Sequence, residues 1–337
     1  MSLALLWVQL AVAAAVILAA AVFMTKSADV IAIKTGMGRA FAGVLLLATA
    51  TSLPEMGVGV SSVALLEAPD MALGAAFGSN LFNLMIIGLL DILWRNRYIL
   101  SEVGNTSVVI GTLGIAVISL GTIAIFLHSA STIFSTWYLS PVSIALLGVF
   151  GLAMYFIYRF DQSNQAPDQP GEEDTYQTRT LSGAVLTYIL TASIVIGSAI
   201  WLSFTGDELA DRLGWEESFM GTQFLAAATS LPELATSIAA IRIAAPEMAI
   251  TNLLGSNLFN MGFVLFVNDA VHTSGTIWVA ASQVHILTAT LSVLMTTVVV
   301  LAVVSRPRNA RAGPLTLESM LLIGFYIAAS FLVFKLG

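Results

Sequence analysis

The sequence predicts an all-α polytopic membrane protein, with ten transmembrane helices arranged as two inverted five-helix repeats. Three observations predict this fold class: an apolar composition, ten apolar stretches of helix length, and two segments of the first half that recur in the second. Of the 337 residues, 58% are hydrophobic and 10% are charged, whereas roughly 25% of an ordinary soluble domain is charged. The sequence has no cysteine, which excludes disulfides and thiolate metal sites.

The predicted spans are the apolar stretches between polar breaks, because a helix needs about 20 apolar residues to cross a bilayer. They lie at 3–24, 40–66, 71–94, 106–127, 138–158, 181–204, 217–241, 248–268, 279–304 and 315–336. We interpret the first as a true span and not as a secretory signal, since no basic segment precedes it and no A-x-A-like site ends it. Almost the whole chain is therefore committed to the membrane.

The basic residues predict the orientation of the spans, because Lys and Arg concentrate on the cytoplasmic side of membrane proteins. With the N-terminus outside, eleven of the 13 basic residues fall on the cytoplasmic side, and Arg212 and Lys335 fall outside. The eleven are Lys26, Lys34, Arg39, Arg95, Arg97, Arg159, Arg179, Arg242, Arg306, Arg308 and Arg311. We expect an integral protein of a prokaryotic inner membrane with its N-terminus outside.

The segment 159–180 is the long polar stretch of the chain, and it contains two prolines, a glycine and the acidic cluster at 172–174. Prolines and glycine break helices. A short solvated loop holds acids in no fixed geometry, so we interpret the cluster as part of a solubilising cytoplasmic linker and not as a regulatory cation site.

Two blocks of sequence recur in register. Residues 43–55, GVLLLATATSLPE, match residues 221–233, GTQFLAAATSLPE, at nine positions. Residues 69–83, PDMALGAAFGSNLFN, match residues 246–260, PEMAITNLLGSNLFN, also at nine positions. Each half holds five spans, an odd number, so the second copy crosses the membrane in the opposite sense. Inverted repeats of this kind place a substrate site near the midplane of secondary transporters.

The repeated segments carry Glu55 and Glu233, which lie inside predicted spans, several residues from either end. The other acids fall in loops or near span ends, Asp91 among the closest cases. A charged side chain at the bilayer centre costs at least about 2.5–3.5 kcal/mol, and no Lys or Arg lies at comparable depth. A bound cation or a proton would offset this cost. The alternative is a protonated acid that holds helices together by hydrogen bonds.

Each of these glutamates has oxygen-bearing neighbours at helical spacing. A Thr lies four residues and a Ser three residues before it, and a Pro immediately precedes it. These residues are Thr51, Ser52 and Pro54 in the first copy and Thr229, Ser230 and Pro232 in the second. Because proline has no amide hydrogen, carbonyls about four residues upstream lose their helical donor and become available as ligands. A kink for packing alone is the alternative.

The GSNLFN segments add a Ser and an Asn at i and i+4, on one helix face: Ser79 with Asn83, and Ser256 with Asn260. Asn80 and Asn257 are expected to bond to backbone. Carboxylate, hydroxyl, amide and carbonyl oxygens suit hard cations such as Na⁺, Ca²⁺ or Mg²⁺. The histidines His128, His272 and His285 fall near predicted loops or span ends and are expected to be solvated or to lie at the membrane interface.

The paired TSLPE and GSNLFN segments resemble the α-repeats of the sodium/calcium exchanger branch of the cation/calcium exchanger superfamily. The resemblance is most specific over 41–90 and 219–267. It implies a ten-helix inverted repeat in which helices 2, 3, 7 and 8 form a core across which helices 1 and 6 slide. The chain would divide into a first repeat at 1–158, a cytoplasmic linker at 159–180 and a second repeat at 181–337.

The resemblance also implies a set of ion ligands. By motif position these are Thr51, Ser52, Glu55, Ser79 and Asn83 of the first repeat, Thr229, Ser230, Glu233, Ser256 and Asn260 of the second, and the carbonyls of Ala48 and Ala226. The chain departs from the family where Ala50 and Ala228 replace the usual Gly, and where Asn260 replaces the Asp of some members. It also lacks a calcium-sensing domain between the halves.

We therefore expect a cation antiporter that exchanges Na⁺ for Ca²⁺ by alternating access at one midplane site built on Glu55 and Glu233. The alternative keeps the fold and couples Ca²⁺ or Mg²⁺ to protons. We expect no enzymatic activity, because a mid-membrane Ser–His set, a pair of mid-membrane Asp residues and an HExxH motif are all missing. A passive channel would show no counterflow. The expected partners are inorganic cations and the lipid bilayer, with no cofactor, no nucleic acid and no obligate protein partner.

Overall fold

The computed structural model describes residues 2–35, 48–94, 98–131, 137–163, 180–242, 244–305 and 316–336. Within these ranges the chain forms ten helices and no β-strand, which confirms the all-α prediction. The helices are α1 (Leu3–Thr35), α2 (Ala48–Ala64), α3 (Pro69–Leu93), α4 (Asn105–Ala130), α5 (Pro141–Ser163), α6 (Leu181–Leu213), α7 (Glu217–Thr229 and Leu231–Arg242), α8 (Pro246–Val271), α9 (Val284–Ser305) and α10 (Leu317–Leu336).

Eight of the helices in the described part of the chain are long and apolar enough to cross a membrane, and α7 makes nine if its two halves form one bent span. Helix α2 is described from Ala48 onward and has 17 residues, so the start of the predicted span 40–66 lies outside the described residues. The membrane-spanning character is therefore confirmed, and the number ten stays a prediction. Most of the predicted linker 159–180 also lies outside the described residues.

Helices α1 and α6 are each 33 residues long and continue beyond the predicted ends at 24 and 204. The predictions stopped where apolar residues give way to polar ones, but no proline follows there to interrupt the helix. Helix α6 ends instead at Gly214, whose left-handed φ of 64° closes the last turn. A helix of this length measures about 50 Å, more than the roughly 30 Å hydrocarbon core. The two helices pack against each other.

Helices α3 and α8 lie at the centre of the molecule. In their apolar stretches 83% and 78% of the residues are buried, against 22% in α5, α6 and α10. Helices α2 and α7, which carry the TSLPE segments, pack against this central pair. The residues predicted to bind ions therefore lie on helices that surround one another, and the predicted side-chain ligands are buried in protein and not exposed to lipid.

An inserted residue distinguishes α8 from its repeat partner α3. Asn83 and Asp91 are eight residues apart in α3, whereas Asn260 and Asp269 are nine apart in α8. The segment Asn260–Val264 is a π-helix, and a π-helical turn accommodates one extra residue within an α-helix. The insertion therefore leaves Asp269 in the position that corresponds to Asp91.

Asp91 is a buried acid that joins three elements near the end of α3. Its Oδ1 accepts a hydrogen bond from the amide of Ile99 at 3.0 Å, at the start of a 3₁₀ turn. Its Oδ2 accepts from the hydroxyls of Thr316 and Ser319, both at 2.6 Å, where α10 begins. The carboxylate thus ties α3 of the first repeat to the fifth helix of the second.

Asp269 repeats this arrangement at the end of α8. It accepts from the amide of Ile277 at 2.9 Å, the amide of Ser140 at 2.9 Å and the hydroxyl of Ser143 at 2.5 Å. Ser140 and Ser143 stand at the start of α5, so this acid ties the second repeat to the fifth helix of the first. Sequence reasoning assigned both acids to loops or span ends. They lie near helix ends, but they are buried because each satisfies three donors at a helix junction.

We expect Asp269→Ala to destabilise the protein, because two buried amides and a hydroxyl would lose a charged acceptor worth about 1.5–3 kcal/mol per hydrogen bond. Thermal unfolding in detergent should show a melting temperature lower by at least about 5 °C. The matched control is Glu216→Ala, at an exposed acid, which should leave the melting temperature unchanged. An unchanged midpoint for Asp269→Ala would contradict this role.

Candidate functional site

The centre of the candidate site is a pair of buried glutamates on two different repeats. Glu55 lies in the middle of α2 and Glu233 in the first turn of the second half of α7, and their exposed fractions are 1% and 0%. The two carboxylates lie within Coulombic range of each other. Two acids so placed repel each other in a medium of low dielectric constant, so the pair favours the binding of positive charge.

Each glutamate accepts a hydrogen bond from a serine of the opposite repeat. The hydroxyl of Ser230 donates to Oε1 of Glu55 at 3.0 Å, and the hydroxyl of Ser52 donates to Oε1 of Glu233 at 3.4 Å. Both serines were predicted from their spacing along one helix face, but the partner of each is the glutamate of the other repeat. The two TSLPE segments therefore form one site and not two separate ones.

The remaining hydroxyls surround the same two acids. Ser79 of α3 donates to Glu55 at 3.5 Å, and the hydroxyls of Thr51 and Ser256 lie 3.4 Å apart and both interact with Glu233. Thr229 interacts with Glu55, while its hydroxyl also donates to backbone carbonyls one turn earlier in α7. All of the hydroxyl-bearing residues that the sequence singled out thus lie beside the two glutamates.

Four buried oxygens of the predicted ligands have no hydrogen-bond partner among the described residues. They are the Oε2 atoms of Glu55 and Glu233 and the Oδ1 atoms of Asn83 and Asn260. Buried polar atoms in native proteins almost always have a partner. Carboxylate and amide oxygens are ligands that hard cations such as Na⁺ and Ca²⁺ prefer. The arrangement can therefore hold a hard cation through oxygens that the fold itself leaves unused.

The charge of the centre comes from two carboxylates. Across the described residues, no group of three or more His, Cys, Asp or Glu side chains comes together as a metal site would require. The other oxygens are hydroxyl and amide oxygens, which are neutral. The formal charge of the pair when ionised is therefore −2, which one divalent ion or two monovalent ions would balance.

Helix α7 is interrupted at Ser230, where the two halves meet at an angle of 40°. Ser230 has φ −87° and ψ 7°, and Pro232 stands in the first turn of the second half, where a missing amide hydrogen is tolerated. Helix α7 is therefore bent beside its proline. Pro54 instead lies inside the continuous helix Ala48–Ala64, so the described part of α2 has no corresponding bend. The availability of the upstream carbonyls stays a prediction.

The two predicted carbonyl ligands, Ala226 and Ala48, are described by the structure to different extents. The carbonyl of Ala226 already accepts from the amide of Ser230 at 3.0 Å and from the hydroxyl of Thr229 at 3.2 Å. It retains little capacity for an ion in this conformation. Ala48 is the first described residue of α2, and the role of its carbonyl stays a prediction.

Two histidines are buried, contrary to expectation. His285 is 0% exposed, and its Nε2 lies 3.0 Å from Oδ1 of Asp70 at the start of α3. His128 is 7% exposed, and its Nδ1 lies 2.8 Å from the carbonyl of Ala124. Each ring is buried because a polar partner lies within the protein. The spacing of the repeated segments does not indicate these contacts, because neither histidine lies in a repeated segment.

A family model described as sodium/calcium exchanger protein matches residues 5–159 and 183–335. The inner membrane protein YrbG of Escherichia coli K12 is 27% identical over 228 residues, 66% of each chain, so the match spans just under two thirds of that relative. The putative antiporter CaxA of Alkalimonas amylolytica is 26% identical over 240 residues, 68% of this chain and 69% of CaxA.

Among solved structures, the sodium-calcium exchanger NCX_Mj soaked with 10 mM Na⁺ has a similar fold. The TM-score is 0.65 at 18% sequence identity, over 97% of this chain and 98% of that one. The match of the family model in two segments and this fold similarity confirm the predicted resemblance and the predicted two-repeat fold.

We expect Ca²⁺ to raise the melting temperature of the wild-type protein in detergent, because a ligand at 100 times its Kd stabilises the folded state by about 2.7 kcal/mol. Glu233→Gln removes half of the charge that balances a divalent ion, so its melting temperature should not respond to Ca²⁺. The control variant Glu216→Gln should respond as the wild type does. An equal response of Glu233→Gln would show that Ca²⁺ binds elsewhere.

Proposed function

The chain belongs to the sodium/calcium exchanger protein family, and on that premise we propose that it is a membrane cation antiporter that exchanges Na⁺ for Ca²⁺. The observation that carries the proposal is the reciprocal pairing of Glu55 with Ser230 and of Glu233 with Ser52. Both carboxylates belong to one centre, which both repeats build. Either Ca²⁺ or Na⁺ ions, but not both at once, can neutralise that centre.

Exchange follows from the charge of the centre. Two ionised carboxylates deep in a membrane protein are costly without a counter-charge, so the empty site is a high-energy state during transport. One Ca²⁺ or at least two Na⁺ would restore neutrality. Because both ions need the same carboxylates, the binding of one displaces the other, and the protein carries cations in both directions in turn.

The proposed ligands are the oxygens that surround this pair. They are the side chains of Thr51, Ser52, Glu55, Ser79, Asn83, Thr229, Ser230, Glu233, Ser256 and Asn260, with the carbonyls of Ala48 and Ala226 in a conformation that frees them. The unpartnered Oε2 and Oδ1 atoms of four of these residues support the assignment. The hydroxyls that already donate to Glu55 and Glu233 would turn their lone pairs towards the ion.

Alternating access assigns a role to the two repeats. We propose the boundaries 1–158 and 181–337, joined by the linker 159–180, with the N-terminus outside a prokaryotic inner membrane. The two repeats would expose the shared site first to one side and then to the other. The long helices α1 and α6, which pack against each other and are less buried than α3 and α8, would move across the central helices.

A second candidate function couples Ca²⁺ or Mg²⁺ to protons at the same site. The paired carboxylates favour it as well, because a protonated pair is neutral without any metal ion. Both functions place the chemistry on Glu55 and Glu233, so the coupling ion separates them.

We expect ⁴⁵Ca²⁺ uptake by proteoliposomes that are loaded with Na⁺ and diluted into Na⁺-free buffer. The driving force is the outward Na⁺ gradient, so uptake should fall to background when internal Na⁺ is replaced by choline. Matched vesicles with a pH gradient alone provide the comparison. Uptake in those vesicles without Na⁺ would overturn Na⁺ coupling and favour the proton-coupled exchanger.

We expect Glu55→Gln and Glu233→Gln each to lower Ca²⁺ exchange by at least about 100-fold, because each removes a charge that the membrane interior makes indispensable. The variants should still elute as folded protein, since a neutral amide is easier to bury than a carboxylate. Glu216→Gln serves as the control with unchanged exchange. Wild-type exchange in either site variant would refute the assignment of the centre.

A further inference from the structure

A chain of buried amides links α3 to α8 beside the candidate site. Nδ2 of Asn83 donates to Oδ1 of Asn257 at 3.0 Å, and Nδ2 of Asn257 donates to the backbone carbonyl of Asn80 at 3.3 Å. The carbonyl can only accept, so Asn257 must present its nitrogen to it and its oxygen to Asn83. Asn83 must then present its nitrogen to Asn257. The bridge therefore fixes the orientation of the Asn83 amide and leaves its Oδ1 without a hydrogen bond from the described residues.

The internal repeat defines a second bridge of the same kind. In the aligned segments 69–83 and 246–260, Asn80 corresponds to Asn257 and Asn83 to Asn260. The equivalent bridge would run from Nδ2 of Asn260 to Oδ1 of Asn80, and from Nδ2 of Asn80 to the carbonyl of Asn257. These three side-chain atoms are buried and have no partner within the described ranges. One bridge is therefore formed in the structure, and the donors and acceptors of the other are present without being bonded to each other.

A second observation shows the same asymmetry between the repeats. Helix α7 is bent by 40° at Ser230, whereas α2 runs without interruption through the corresponding Ser52. The two copies of one sequence motif therefore adopt different conformations. In an inverted repeat, an exchange of these two conformations turns a site that faces one side of the membrane into one that faces the other.

We propose that Asn80 and Asn257 are positioning residues whose amide bridges alternate as the site changes sides. In the conformation seen here Asn257 orients Asn83, and in the opposite conformation Asn80 orients Asn260. Leaving buried amides without partners costs free energy, so each bridge stabilises the conformation in which it forms. The inference rests on the antiporter function proposed above, because it requires two conformations that face opposite sides.

The bridges also change the ligand set. With Asn257 engaged, the oxygen of Asn83 has a fixed direction, whereas the amide of Asn260 has no partner among the described residues to hold it. In the opposite conformation the roles reverse. One amide ligand of the site is therefore held in place in each conformation, and the ion is offered a similar set of oxygens from either side.

The natural absence of cysteine from the sequence allows a direct test with single thiols. Ser62→Cys and Ser237→Cys each place a small thiol at a buried position, beyond Glu55 in α2 and beyond Glu233 in α7. Because the repeats are inverted, the two thiols lie on opposite sides of the site. Their rates of reaction with a small charged thiosulfonate reagent in detergent, where both faces are accessible, report which side is open.

We expect Asn257→Ala and Asn80→Ala to change the ratio of the two reaction rates in opposite directions, each on the order of fivefold. The double variant should return towards the wild-type ratio, because each conformation then lacks its bridge. Asn268→Ala provides a matched control, since Asn268 is buried in α8 but has no hydrogen bond to lose among the described residues. Its ratio should equal that of the wild type.

A change of the rate ratio in the same direction for both variants, or no change in either, would overturn the proposal. A purely structural role does not predict that the two variants shift the ratio in opposite directions. If the alanine variants do not fold, Asn80→Ser and Asn257→Ser remove the bridges with a smaller loss of polarity and should show the same opposition. The ⁴⁵Ca²⁺ exchange of the wild type separates the two proposals. Opposite shifts without exchange refute the antiporter alone, whereas exchange without opposite shifts refutes the bridges alone.

Discussion

The burial of two carboxylates among helices that span a bilayer is the constraint on which the rest of the structure depends. Glu55 and Glu233 are almost fully enclosed, and in such a medium an ionised acid must have donors and a counter-charge. Each carboxylate accepts a hydrogen bond from a serine hydroxyl of the opposite repeat. This exchange of donors holds the two halves together at the point where an ion would bind.

Two other buried acids, Asp91 and Asp269, lie away from this centre and stabilise the junctions between helices. Both oxygens of Asp91 and both oxygens of Asp269 accept hydrogen bonds from amides and hydroxyls of neighbouring elements, whereas Glu55 and Glu233 each keep an oxygen without a partner in the described protein. The difference is physical. A carboxylate whose two oxygens both accept hydrogen bonds is stabilised as a charge by the fold, whereas one oxygen of each glutamate remains available to a ligand.

The two repeats share a sequence pattern but not one conformation. Helix α7 bends at Ser230 while α2 continues through Ser52, and a π-helical turn in α8 has no counterpart in the described α3. The side-chain amides of Asn80 and Asn257 show the same difference, since that of Asn257 is hydrogen-bonded and that of Asn80 has no partner among the described residues. A protein that works by alternation needs such a difference, because two identical halves would face both sides equally.

The sequence by itself determined the helical membrane fold, the two repeats and the oxygen-bearing residues near Glu55 and Glu233, because apolar runs, duplicated motifs and i, i+4 spacings are local properties. Only the tertiary structure decided which serine serves which glutamate, which asparagine is bonded, why Asp91 and Asp269 are buried, and that His128 and His285 have partners inside the protein. The true ends of α1 and α6 also required it. These features depend on how the helices and the turns between them pack, or on backbone hydrogen bonding at a helix end. Neither the period nor the composition of a short segment encodes them.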